Sequence, residues 1–277
     1  MEKTLPEAAS GTAATTSAGA QGRFETYQMP NALLHVYYSN DVMGDASYIV
    51  ESAGGLVTLE TPLFKSALKE FNDYLAKLGK PVVAEIVDYH LGGTGDHAVI
   101  MVEGMGKFTK EGVYAAMMEG FQKGFGDAMV DLPTGEITEV PFGATRTLAG
   151  VTYSFNHGSS NDFPGAAILI DGTAYLTHWA PAKAHMNNLQ LSGAAAVPQF
   201  LEGLEAARRS KASLFIGGHG GAADSETLDF RIRYVKTLGK LLAKDSDAAS
   251  FAADLKAEYP ELPGAEGIDA LAEALYK

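Results

Sequence analysis

Apolar residues first recur with a period of two and then with helical spacing. Leu33–Tyr38 and Ala46–Glu51 read as strands, Ala53-Gly54-Gly55 as a turn, and Leu56–Leu59 as the return strand of a hairpin. Phe64, Leu68, Phe71, Leu75 and Leu78 then share one helical face, and Gly79 and Pro81 supply the stop signal. The run VVAEIV from Val82 has the character of a buried strand, and Val99–Val102 is a further candidate. Val113, Met117 and Phe121 mark a second amphipathic helix. Strands are expected at Ile137–Val140, Val151–Phe155, Ala167–Ile170, Ala174–Thr177 and Ser213–Ile216. Phe200, Leu204 and Ala207 mark a helix between the last two of these. Leu228, Ile232, Val235, Leu238 and Leu242 mark a long one after them, and short helices finish the chain. Hairpins, then alternation with helices, then hairpins again predict mixed sheets covered by helices.

Composition narrows the chemistry. The chain has 277 residues, 46% hydrophobic and 20% charged, which is a globular balance. A net charge of −13 repels phosphate backbones, so nucleic acid is not an expected partner. The absence of cysteine excludes disulfides, iron–sulfur clusters, thiolate zinc sites and a thiol nucleophile. No apolar run approaches the roughly 18 residues of a membrane span. Residues 7–20 are Ala, Ser, Gly and Thr except for Glu7, so residues 1–22 read as a flexible leader before one domain at 23–277. Such leaders often follow an export signal, so a periplasmic or secreted location is expected, with the cytoplasm as the alternative.

Four of the seven histidines share a context. His90 follows VVAEIV and precedes Leu91-Gly92-Gly93, His157 follows VTYSF, His178 follows AYLT, and His219 follows SLFI within a glycine-rich turn. Strand ends carrying loops are where α/β proteins place ligands, and four imidazoles delivered there suit one divalent ion. Zinc suits them best, and iron or manganese are the alternatives. His35 lies within a strand and reads as structural; His97 and His185 lie in loops. Trp179, the single tryptophan, either packs under a loop or lines a substrate pocket beside the metal. Gly93–Ala98 fits a dinucleotide-binding glycine pattern, but AVIMVEG after it reads as a strand, and no helix opens there for a pyrophosphate. Ser159 and Ser160 beside His157 do not make a catalytic triad, and no nucleophile elbow is present.

The order of elements and these residues together resemble the metallo-β-lactamase-like hydrolases. In that family an opening hairpin ends in an Asp-Thr/Gly-type turn, whose counterpart here is Gly55–Pro62. The family motif H-x-H-x-D-H-x-G-G corresponds to Glu85–Gly93, where only His90 and the two glycines match. Glu85, Val87 and Tyr89 stand at the other ligand positions. His157 resembles the third-motif histidine, His178 falls where the family has a bridging Asp, and Gly218-His219-Gly220 resembles the closing G-H-G. The resemblance spans Phe24 to Leu242. It implies an αββα sandwich of two mixed β-sheets flanked by helices. It also implies a divergent metal-dependent hydrolase that attacks a small ester, lactone, thioester or amide with a metal-bound hydroxide. His90, His157, His178 and His219 would be the metal ligands and Trp179 a substrate contact. Glu85 is either a substitute ligand or a strand carboxylate facing solvent or a base. The alternative function is a non-catalytic binding protein on the same fold. Oligomeric state is not legible.

Overall fold

The computed structural model describes residues 22–90, 92, 97–130, 137–158 and 165–277. Residues 1–21 of the leader, most of the Gly93–Ala98 pattern, and Ser159 and Ser160 fall outside these. Among the described residues there are two sheets. The first takes β1 (Arg23–Gln28), β2 (Leu33–Tyr38), β3 (Ala46–Ser52), β4 (Gly55–Leu59), β5 (Val82–Ile86), β6 (Val99–Val102) and β7 (Ile137–Val140) in sequential order. β1 to β4 run antiparallel, and β4 to β7 run parallel. The second sheet has the order β13 (Gly221–Ala223), β12 (Leu214–His219), β11 (Ala174–Trp179), β10 (Ala166–Ile170), β9 (Val151–His157), β8 (Thr145–Leu148). Its β11–β12 pair is parallel and its other pairs are antiparallel.

Period-two alternation builds the layers. Leu34, Val36, Tyr48, Val50, Val57 and Leu59 face Ile168, Ile170, Ala174, Leu176 and Ile216 in a core between the sheets. The intervening Tyr37, Ile49 and Leu56 face outward and pack on Ala67, Phe71 and Leu75 of α1 (Lys65–Leu78). Gly79 ends α1 in the left-handed conformation, as the sequence pattern anticipates. Two further helices, α2 (Met105–Phe108) and α3 (Gly112–Phe125), lie between β6 and β7 in the chain. On the far side, Tyr175 and Phe215 pack with α4 (Ala196–Arg209), α5 (Ser225–Lys244), α6 (Ala248–Glu258) and α7 (Ile268–Leu275). The result is the expected helix–sheet–sheet–helix sandwich. No helix among the described residues is long and apolar enough to cross a membrane.

Two of the remaining histidines are structural. His35 is buried in β2 among Thr26, Tyr74 and Glu51. His185 is buried with Nδ1 at 3.0 Å from the Tyr234 hydroxyl.

Candidate metal centre

Parallel pairing of β11 and β12 sets Trp179 opposite His219, so His178 and His219 arrive at the same edge of the sandwich. His90 comes to that edge from the other sheet, in the loop after β5. Ring centroids are 4.7 Å apart for His90 and His219, 5.1 Å for His178 and His219, and 6.2 Å for His90 and His178. One ligand atom from each of these three residues lies within 4.8 Å of the other two, so the cluster can hold one metal ion. His90 Nε2 and His219 Nε2 are 3.3 Å apart. Two nitrogens about 2.0–2.1 Å from one tetrahedral zinc stand about that far apart.

Each ring is held from behind. His178 stacks on Tyr89 at 4.3 Å with planes 4° apart, and His219 stacks on Trp179 at 4.2 Å and 25°. His90 is fixed through its backbone: its N–H donates to Glu60 Oε2 at 2.9 Å. Glycines bring the segments close enough. A Cβ on Gly92 would fall 2.0 Å from the Thr61 carbonyl oxygen, so only glycine lets the loop after His90 lie against Thr61 and Pro62. Gly221 has φ +77, and a Cβ there would meet the Tyr38 ring at 1.9 Å. The Tyr48 hydroxyl reaches across the sandwich to the carbonyls of Gly217 and Gly221, at 2.6 and 2.9 Å, and so pins the turn that carries His219.

Burial holds the His90 imidazole well below its ordinary range, at about 4, so it offers a neutral nitrogen at neutral pH. Asp45, in the connection before β3, is 3% exposed and stands 3.1 Å from His219 Nδ1 and 3.8 Å from His90 Nε2. Burial pushes its carboxyl up, but the imidazoles of His90, His219 and His178 outweigh that and hold it below the usual range. Neither Asp45 oxygen, nor His219 Nδ1, has a partner in hydrogen-bond geometry among the described residues. A buried carboxylate without hydrogen-bond donors is a costly arrangement that a cation relieves. The donor set and these orphaned atoms therefore fit one divalent metal ion. Asp45→Asn is expected to weaken zinc binding by about 10- to 100-fold while the metal-free protein loses no stability. Zinc titration and urea unfolding of the same samples read both effects; a destabilised apoprotein with unchanged zinc affinity would give Asp45 a purely structural role.

Glu85, Val87 and Asp88, which lead up to His90, are all buried. Glu85 is fully buried and accepts the Thr61 hydroxyl at 2.6 Å, so of the open readings the solvent-facing one is excluded. Val87 lies in the inter-sheet core. Asp88 accepts the Ala166 N–H on both oxygens, at 2.9 and 2.8 Å, and so ties the His90 loop to β10. His157 is exposed, stacks on Phe142 at 4.0 Å, and is not among the three clustered ligands. Strand order explains this: β9 is separated from β11 by β10, which puts His157 about 10 Å of sheet away from His178. Trp179 lines a pocket that also touches His178. Asp45 gave no sequence signal, because it meets His219 only through an isolated bridge between distant segments.

No family model matches the sequence, and no curated protein does. Solved structures do match. A metallo-β-lactamase family protein of Thermus thermophilus superposes with TM-score 0.58 at 16% identity, over 91% of both chains. A double mutant of the sec-alkyl sulfatase PisA1 gives 0.60 at 16%, over 90% of this chain and 49% of that one. The DIM-1 metallo-β-lactamase gives 0.53 at 14%, over 77% of this chain and 97% of that one. At such identities the likeness concerns the backbone alone, and what it establishes is that this chain has the αββα sandwich of the metallo-β-lactamase fold.

Proposed function

We propose that this protein is a mononuclear metal-dependent hydrolase of small carbonyl substrates, with His90, His178 and His219 as ligands and zinc as the first metal to test. The observation that carries this reading is the meeting of three imidazoles beside an ionised, donor-free Asp45. Iron and manganese suit the same nitrogen and oxygen donors. When bound, a divalent ion supplies a Lewis acid that lowers the pKa of a coordinated water and polarises a carbonyl. The chain's own residues do the rest. Asp45, 3.1 Å from His219 Nδ1, balances the ion's charge. Tyr89 and Trp179 hold two of the rings by stacking, which leaves their ligand nitrogens aimed into the site. His157 and Trp179 border the pocket where a substrate would lie.

A second reading, a binding protein that has abandoned catalysis, draws on the first-motif positions. Glu85, Val87 and Tyr89 are all committed to packing or hydrogen bonds, so they leave no second metal site of the usual composition. Metal analysis of untagged protein, followed by ester, lactone, thioester and amide screens, separates the two. About one equivalent of metal together with turnover supports the hydrolase. Metal-free protein after zinc, iron and manganese have each been offered overturns it.

A further inference from the structure

The pocket that His178 borders does not stay at the edge of the sandwich. It runs beneath α4, along the outer face of the second sheet, as a partly open groove. It is bordered by His178, Tyr89 and His157 and by Trp179, Tyr175, Phe215, Phe200 and Leu204. None of the described residues lining it is Asp, Glu, Lys or Arg. On α4, Phe200, Gly203, Leu204 and Ala207 fall at i, i+3, i+4 and i+7, one face turned to the sheet. Gly203 sits in the middle of that helix, where alanine is the better helix former. With Ala206 and Ala207 beside it, the helix leaves open the space that larger side chains would fill.

We infer that this cleft binds a linear aliphatic chain, the acyl or alkyl part of the substrate whose carbonyl lies at His178. The inference rests on the hydrolase reading for the position of the carbonyl. The uncharged, aromatic and aliphatic lining selects an apolar group, and continuity with His178 attaches that group to the reacting end.

The test needs neither metal nor turnover, because Trp179 is the only tryptophan and lies in the wall of the cleft. Metal-free protein is titrated with 1-butanol, 1-hexanol and 1-octanol while indole fluorescence is followed. Affinity is expected to rise about fourfold per methylene. Gly203→Leu, with Ala206→Leu as a second filling variant, is expected to weaken 1-octanol binding at least tenfold, with folding checked by circular dichroism melting. No dependence on chain length, or wild-type binding in a folded filling variant, overturns the proposal. Tighter binding of benzyl alcohol than of 1-hexanol overturns the assignment to a linear chain. Chain-length-dependent binding in a protein that takes up no metal would uphold the cleft and sink only the hydrolase. Metal uptake without alcohol binding would do the reverse.

Discussion

In the His90→Ala/His219→Ala double variant, zinc affinity is expected to fall by at least about a thousandfold. A structural four-ligand zinc site is worth about 10–16 kcal/mol, or roughly 2.5–4 kcal/mol per ligand on even division. Losing two ligands then removes on the order of 5–8 kcal/mol, and each 1.4 kcal/mol is a factor of about ten. These two residues are chosen because their Nε2 atoms, 3.3 Å apart, define one edge of the coordination polyhedron, and one comes from each half of the sandwich. His178 alone cannot retain the ion, since Asp45 lies against the two rings that are removed. The loss is expected in binding and not in folding. His90 and His219 are near neighbours whose mutual contact joins two polar rings at the sandwich edge and contributes no apolar core. Competition dialysis against a chelator measures the affinity. Thermal melting gives an independent reading: zinc at about 100 times its dissociation constant stabilises the wild type by about 2.7 kcal/mol and leaves the double variant unchanged. One equivalent of zinc held by the double variant with wild-type affinity would place the metal elsewhere.

Strand-end histidines were legible because a strand fixes where its last residue emerges, and His178 and His219 owe their meeting to adjacent parallel strands. The same local context at His157 could not say how many strands separate it from the others, since strand order is a tertiary fact. Asp45 lay beyond sequence reasoning for a related reason: one aspartate in a polar turn carries no mark of the distant imidazole it meets. Three strands also escaped the hydrophobic pattern. β8 is exposed over most of its length, β13 is only three residues, and β1 mixes buried with half-exposed and exposed positions, so none shows clean alternation. The core strands and the helices packed on them did show it, because burial on one or both faces imposes a period. What the pattern could not show is the use of a ligand-like side chain: Glu85 resembles a candidate ligand in the sequence but accepts the Thr61 hydroxyl.

Glu60 is where the largest loss of stability is expected. It follows β4 with φ at +53, a left-handed conformation that costs a non-glycine residue energy, and its side chain is fully buried. Its carboxylate accepts the N–H groups of Asp88, Tyr89 and His90 at 2.8, 3.1 and 2.9 Å, the donors closing the loop that presents His90. Glu60→Ala leaves those three buried donors without an acceptor, and each orphan costs about 1–3 kcal/mol. A loss of at least about 3 kcal/mol is therefore expected in urea unfolding, with zinc affinity reduced about 10- to 100-fold because His90 loses its anchor. Glu60→Gln keeps the volume and one acceptor oxygen but turns an amide N–H₂ toward backbone donors, so it should fall between wild type and Glu60→Ala. The deficit should also depend on pH. Burial, aided by the charge on Asp45, pushes the Glu60 carboxyl up to about 7 despite its backbone donors. The folded protein thus takes up this proton above the ordinary glutamate range, where the unfolded chain does not, so the contribution of Glu60 grows as pH falls from 7 toward about 4.5. For metal-free protein the gap between wild type and Glu60→Ala should be wider at pH 5 than at pH 8. A gap under 1 kcal/mol at both, with zinc affinity unchanged, would mean that the His90 loop holds itself and that Glu60 is not its anchor.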